Sequence, residues 1–317
     1  MKPKNNIIII SGPTATGKTK TSIELARTFQ AEVLNFDSLL FYKEISIGTA
    51  KPSEAEKENI SHHLIGDQSI FSPINAADFV ELALPIILDI HKRDKNVILV
   101  GGSGFYLQAL LYGMYDSPHT SEKILDKSEE LYLKEGIGPF RDILKVNDPK
   151  SYERYHENDH YRIRRAVEYF WQTSKMFSKA REKMSKKREV GLSNEKKYNW
   201  RIFHAHLDID KETHFKIIQK RCKEMLQAGL IEEVRNLLNT GANGSEKPLL
   251  SIGYKETIAY IHDEFDSYEA YYERLCINTR RLAKAQRTWF KKVEKNCYNP
   301  LTDKDILMRD ITNFLTK

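Results

Sequence analysis

The chain is poor in cysteine. Three of its 317 residues, Cys222, Cys276 and Cys297, are cysteines, widely spaced and without a Cys-x-x-Cys pair. That excludes a disulfide framework and a zinc ribbon, and points to a reducing compartment. Long apolar runs are missing too. The longest short run, Ile7–Ile10, is the length of a strand, far below the roughly 20 residues that span a bilayer. Met1–Asn6 carries basic residues but no apolar stretch of signal-peptide length. A cytoplasmic protein with no membrane association is expected. Low-complexity disorder is excluded by 40% hydrophobic residues, enough to bury a core.

Charge is present but uneven. Net charge is +6. Lys179–Lys197 holds eight basic and three acidic residues, and Arg280–Lys295 holds seven basic and one acidic. These blocks carry +11, leaving the rest of the chain at −5. A polyanionic partner would account for two basic blocks on an otherwise acidic protein, although a lone lysine-rich helix is more often only a solvated face.

Periodicity gives an α/β order in the first third. Short apolar strands are expected at Asn6–Ser11, Ala31–Phe36 and Asn96–Val100. Helices are expected at Lys18–Thr28, at Ala76–Arg93 with Pro85 as a kink, and at Phe105–Leu111. Fully apolar strands alternating with helices mean a parallel sheet covered on both faces. After Gly113 the pattern turns charged, aromatic and helical, and 115–199 reads as a helical insertion. Its clearest helix is His160–Thr173, with Asp159 as N-cap. Alternation at Arg201–Ile209 returns the chain to the sheet. Helices follow at Lys211–Ala228, Ile231–Thr240, Lys255–His262, Ser267–Lys295 and Lys304–Thr316. The expected domains are therefore a catalytic core, 1–114 with 200–317, and an insertion, 115–199.

Gly12-Pro13-Thr14-Ala15-Thr16-Gly17-Lys18-Thr19 fits the G-x-x-x-x-G-K-[ST] P-loop. The glycines let the backbone wrap so that N–H groups face phosphate oxygens. Lys18 adds a cation, the Thr19 hydroxyl can hold Mg²⁺, and the helix start adds its positive end. The motif follows a strand and opens a helix, the context that gives it meaning. It specifies binding of a di- or triphosphate, not phosphoryl transfer. P-loop enzymes that split a nucleotide hold Mg²⁺ with an acid, usually placed after an apolar strand. Asn96–Val100 ends instead in Gly101-Gly102. Asp37, after Ala31–Phe36, is the only acid expected at a strand end. It is either the metal acid or a carboxylate aimed at a second substrate. The adjacent His62 and His63 look like a metal pair but read as structural, because neighbouring residues rarely face one ligand.

Five segments together resemble the tRNA dimethylallyltransferases, also called tRNA isopentenyl-diphosphate transferases. The first is the P-loop with D-S-L-L-F-Y at Asp37–Tyr42 and I-G-T-A-K-P at Ile47–Pro52. H-H-L at His62–Leu64 with A-A-D-F at Ala76–Phe79 comes next, then G-G-S-G-F-Y at Gly101–Tyr106. H-E-N-D-H-Y-R-I-R-R-A covers His156–Ala166. G-Y-K-E at Gly253–Glu256 and T-R-R-L-A-K-A-Q-R-T-W-F at Thr279–Phe290 complete the set. They occur in family order over nearly the whole chain.

The resemblance implies a P-loop NTPase-like core and transfer of a dimethylallyl group to the exocyclic amine of the adenine just 3′ of the anticodon. The P-loop would then serve dimethylallyl diphosphate rather than ATP, with Lys18, Thr19, Arg221 and Mg²⁺ on the diphosphate. Asp37 matches the general base that binds the adenine amine. Ser38, Leu39, Leu40 and Ser103 would border the target nucleotide, and Arg162, Arg165 and Arg287 would contact tRNA. Tyr161, Arg164 and Trp289 are further aromatic and basic groups of that surface. A monomer is expected. Two departures stand out: many members have Arg-Gln at Leu39-Leu40, and an arginine one turn before Arg221 is Ile217 here. Three other readings remain: a small-molecule P-loop kinase, a prenyltransferase acting on free adenine nucleotide, and a non-catalytic RNA-binding ATPase.

Overall fold

The computed structural model describes residues 5–114, 120–189 and 193–317, with the side chains of 186–189 outside that description. The basic residues Lys186, Lys187 and Arg188, and the expected insertion start at Tyr115, therefore lie outside the described side chains or residues.

Six strands form one parallel sheet: β1 Asn6–Ser11, β2 Ala31–Asn35, β3 His62–His63, β4 Asn96–Gly101, β5 Arg201–Leu207 and β6 Asn296–Tyr298. Their order is β3-β2-β4-β1-β5-β6. Every residue of β1 and β2 is buried, as expected of strands covered on both faces. The helices before the insertion are α1 Lys18–Thr28, α2 Ala76–Lys92 and α3 Gly104–Tyr112. Asn75 caps α2 through a capping box with Asp78, and the helix runs on past Pro85 to Lys92.

The chain divides into two compact units, Met1–Leu111 with Tyr198–Lys317, and Tyr112–Lys197. The second unit contains α4 Glu122–Glu135, α5 Gly138–Asn147, α6 Pro149–Arg154, α7 His160–Thr173, α8 Phe177–Glu189 and α9 Asn194–Lys197. Its core gathers Phe140, Leu144, Ile163, Ala166, Val167, Tyr169 and Phe177. Asp159 caps α7, its carboxylate accepting from Arg162 N. The first unit continues with α10 Lys211–Gln227, α11 Leu230–Asn239, α12 Tyr254–Ile261, α13 Tyr268–Phe290 and α14 Lys304–Thr316.

Three sequence expectations change. The long helix α13 stops at Phe290, and Asn296–Tyr298 adds a sixth strand beside β5. His62-His63 adds an edge strand beside β2. There His63 Nε2 meets Glu32 and His62 Nδ1 meets the Ile60 carbonyl, so the pair is structural. Finally, β5 ends at Leu207 rather than Ile209. Asp208 then follows it directly, so Asp37 is not the only acid at a strand end.

Candidate active site

The carboxyl ends of β1, β2 and β4 bring together the P-loop, Asp37 and Ser103. Ligands settle at this edge in open parallel sheets. Gly12 passes so close to the Leu207 carbonyl that any Cβ would overlap it. Glycine is therefore required where the loop leaves β1. Within the loop, Thr16 Oγ1 and Lys18 Nζ both donate to the Pro13 carbonyl, at 2.9 and 2.8 Å. Gly12, Pro13 and Thr16 are buried and shape the loop.

Thr14, Ala15, Gly17, Lys18 and Thr19 line a cleft of about 810 Å³, together with Leu40, Asp37 and Arg221. A second cavity, about 400 Å³, is lined in part by Ser38, Leu39, Tyr42, Ser103, Tyr106 and Leu282. Thr14, Asp37, Thr49 and Arg221 line both. Asp37 and Arg221 thus stand where the phosphate-binding motif meets a more enclosed chamber with aromatic and aliphatic walls.

Asp37 is held by local contacts. Its backbone N–H donates to Asn35 Oδ1 at 2.8 Å, and Leu39 N donates to its carboxylate at 3.3 Å. Ser103 Oγ accepts from Ser38 N at 3.0 Å and donates to Ser38 Oγ at 3.2 Å, tying the β4 loop to the β2 loop. Burial pushes the Lys18 ammonium down to about 8; Asp37 opposes that shift and Arg221 adds to it. Burial also lowers Arg221, again against the pull of Asp37. Two desolvated cations facing one carboxylate favour an anion of higher charge.

Below the P-loop strand, Ser11 Oγ lies 2.7 Å from His204 Nε2 and 2.9 Å from His206 Nδ1. Burial holds both imidazoles neutral, pushed down to about 3 and about 4. Phe203, Ala205 and Leu207 alternate along β5 with these histidines, which occupy the opposite face.

Arg287, expected to contact tRNA, makes three contacts inside the fold. Its Nε donates to Asp208 Oδ1 at 2.7 Å, and its Nη2 donates to the Ile209 carbonyl at 3.0 Å and to His214 Nδ1 at 2.6 Å. His214 Nε2 then donates to the Thr14 carbonyl at 2.8 Å. The preceding residue, Gln286, accepts from Thr14 N at 2.8 Å and donates to the Gly102 carbonyl at 3.2 Å. The P-loop is therefore gripped at both polar atoms of Thr14, its N–H by Gln286 of α13 and its carbonyl by His214 of α10. Trp289 is half-buried, packed on Gly104 and edge-on to Phe290, which makes it a packing residue.

In the second unit Arg162 is exposed and pairs with Asp159. Arg165 is half-buried against Thr120 and Glu168. Arg164 pairs with Glu129 and lies over the Tyr132 ring. Tyr161 is 73% exposed, an aromatic face open to solvent.

No strand-end or phosphate-loop signal in the sequence marks Gln286, His214, Asp208, Glu233 or Tyr254. Gln286 and Tyr254 lie inside the segments Thr279–Phe290 and Gly253–Glu256, whereas Glu233 belongs to no motif.

Among the described residues no group of three or more His, Cys, Asp or Glu side chains is placed to hold a metal ion, and no helix is long and apolar enough to cross a membrane.

The family model for IPP transferase matches residues 40–293, a span that leaves the P-loop as an independent observation. The tRNA dimethylallyltransferase 2 of Geotalea daltonii is 36% identical over 92% of this chain and 87% of that protein. The tRNA dimethylallyltransferase of Acetivibrio thermocellus is 38% identical over 92% of this chain and 90% of its own. Among solved structures, the tRNA isopentenylpyrophosphate transferase of Bacillus halodurans superposes with a TM-score of 0.69 at 30% identity, covering 99% of this chain and 96% of that one. A eukaryotic dimethylallyltransferase acting on tRNA gives a TM-score of 0.79 at 26% identity, over 98% of this chain and 79% of that one. With the parallel sheet, the P-loop cleft and a family match over most of its length, the chain belongs to the IPP transferase family.

Proposed function

We propose that this protein transfers a dimethylallyl group from dimethylallyl diphosphate to the exocyclic amine of the adenine 3′-adjacent to the anticodon of tRNA, releasing diphosphate. The observation that carries this reading is the position of Asp37 and Arg221 on the boundary shared by the P-loop cleft and the second chamber. A reaction that joins an adenine to a diphosphate ester needs a proton acceptor and a cation at that boundary.

The adenine nitrogen forms a C–N bond to the allylic carbon while the C–O bond to diphosphate breaks. The bonding pair leaves on the diphosphate oxygen, and the amine proton passes to Asp37. An aromatic amine is a weak nucleophile, so a positioned carboxylate helps as the C–N bond forms. Lys18, Arg221 and the P-loop N–H groups stabilise the charge growing on the leaving oxygen. The donor set also suits Mg²⁺, which takes hydroxyl and carboxylate oxygens beside substrate phosphates. Thr19 Oγ1 and, where it is not used as base, Asp37 are the residues that would hold it. When bound, Mg²⁺ supplies further neutralisation of the diphosphate.

The target base must leave its stack to enter the chamber. An anticodon loop is single-stranded, so stacking and phosphate contacts carry its recognition. Tyr161 and Arg162 of the second unit are exposed groups suited to that task, and Ser38, Leu39, Leu40 and Ser103 would border the nucleotide. The Leu39-Leu40 pair would give that nucleotide an apolar border. The setting implied is a cytoplasmic monomer working on tRNA.

The test is to incubate the protein with tRNA, dimethylallyl diphosphate and Mg²⁺ and to analyse the nucleosides by mass spectrometry. Prenylated adenosine in the tRNA is expected. Its absence, with ATP hydrolysed or its phosphoryl group transferred, would make the protein a kinase or ATPase.

A further inference from the structure

Two sequence motifs, Ile47–Pro52 and Gly253–Glu256, meet at a residue that belongs to neither. Ser46 N and Ile47 N each donate to Glu233 Oε2 at 2.8 Å, and Gly48 N donates to Glu233 Oε1 at 3.2 Å. The Tyr254 hydroxyl donates to Glu233 Oε1 at 2.7 Å. Glu233 lies on α11, and Tyr254 is the fully buried first residue of α12. Gly48 leaves room for that ring: a Cβ there would come within 2.5–2.7 Å of Tyr254 ring and hydroxyl atoms.

Successive backbone N–H groups aimed at one point form an anion site. In the P-loop such groups await a ligand. At Ser46–Gly48 the anion is supplied by the protein itself. The next residue shows what this arrangement holds in place. The Thr49 carbonyl accepts from Arg221 Nη2 at 3.3 Å, and Thr49 lines both cavities. Glu233 and Tyr254 line neither cavity described above. Their effect on the site passes through the residues they hold, of which Thr49 follows the clamped backbone directly.

We propose that Glu233, clamped by Tyr254, is a positioning residue: it fixes the Ser46–Thr49 loop so that the Thr49 carbonyl aims the Arg221 guanidinium at the diphosphate. This rests on reading the P-loop cleft as a diphosphate site. A neutral carbonyl partner orients Arg221 without neutralising it, which leaves its charge for the ligand. Glu233→Gln keeps the volume but turns an NH₂ group toward donors, so the nest loses its anion.

The experiment is a double-mutant cycle with inorganic pyrophosphate as probe. The full chain, Glu233→Gln, Arg221→Ala and the double variant are titrated by calorimetry with Mg²⁺ present, and each melting temperature is recorded. Glu233→Gln is expected to weaken pyrophosphate binding about tenfold alone and hardly at all in the Arg221→Ala background, because the two act on one interaction. In turnover assays the KM for dimethylallyl diphosphate should rise while the KM for tRNA holds. A folded Glu233→Gln protein with wild-type pyrophosphate affinity would overturn the proposal, as would an equal loss in both backgrounds.

If Glu233→Gln does not fold, Tyr254→Phe replaces it, keeping the ring over Gly48 and deleting one hydrogen bond. About a threefold loss is expected, absent in the Arg221→Ala background; no loss, or an equal one in both, overturns the proposal. Wild-type protein that binds pyrophosphate but makes no prenylated adenosine refutes the functional reading and leaves the cycle interpretable. Failure to bind pyrophosphate sinks both.

Discussion

Two half-buried arginines flank the P-loop and are treated in opposite ways. Arg287 is paired inside the fold: a carboxylate, a carbonyl and an imidazole occupy its Nε and Nη2. Among the described residues Arg221 has no ion pair; its hydrogen bond goes to the neutral Thr49 carbonyl. Both are arginines carried on helices, so residue type does not separate them. Local neutralisation does. A guanidinium paired inside the fold is an organiser, whereas one oriented by a neutral acceptor keeps its charge for an incoming anion.

The sharpest break in this comparison lies with the carboxylate between the cavities. Asp37→Asn should lower kcat by about 10²–10⁴-fold, the usual worth of a positioned base, with pyrophosphate affinity nearly intact by calorimetry. Loss of Mg²⁺-dependent pyrophosphate affinity instead would make Asp37 a metal acid.

Next come the two arginines. Arg221→Ala should cost about 10²–10³-fold in single-turnover rate, as for removal of one group stabilising a leaving charge. Its thermal stability should change little. Arg287→Ala should do the reverse at first sight, losing about 1–3 kcal/mol in chemical denaturation because Asp208 and His214 are left without their donor. Equal stability losses for the two variants would erase the distinction.

A smaller effect concerns pH. Lys18 is lowered to about 8 in the free protein. A bound diphosphate favours the ammonium and raises that value, so binding takes up a proton above the free-state pKa. Affinity for dimethylallyl diphosphate should be level just below about 8 and fall above it, by at most about tenfold per pH unit. Lys18→Arg should remove the inflection. Calorimetry in buffers of different ionisation enthalpy would show the proton uptake directly.

The last effect is expected far from the reacting atoms. Tyr161→Ala should weaken tRNA by about 1–3 kcal/mol if the ring stacks on a base, with little change in salt dependence. Neutralising Lys186, Lys187 and Arg188 should flatten the salt slope of tRNA binding, each lost phosphate contact removing about 0.9 from it. An unchanged slope would make that block a solvated face.

Much of the fold was legible because its signals are local. The apolar run of β1, the P-loop glycines, the Asp159 cap and the boundaries of α7 each follow from a few neighbouring residues. Two-residue β3 and three-residue β6 were not, since so short a strand has no period and forms only against an existing edge. The site divides along the same line. Lys18, Thr19 and Asp37 announce themselves by motif and strand end. The inward turn of Arg287 depends on Asp208, 79 positions away, and the Glu233 clamp joins residues up to 187 positions apart. No spacing rule sees such pairs.

The division of the chain has a consequence for how it folds. Strand β1 pairs with β5 from Asn6 to Arg201 onward, a separation of 195 positions. Closing so long a loop is slow, and non-local pairing of this kind sets the pace of folding. The second unit, Tyr112–Lys197, lies wholly inside that loop and has its own core. If it condenses first, it replaces a long flexible span with a compact one and shortens the search of β5 for β1. The insertion would then be a folding aid to the sheet that carries the P-loop, and its deletion in favour of a long flexible linker should slow refolding.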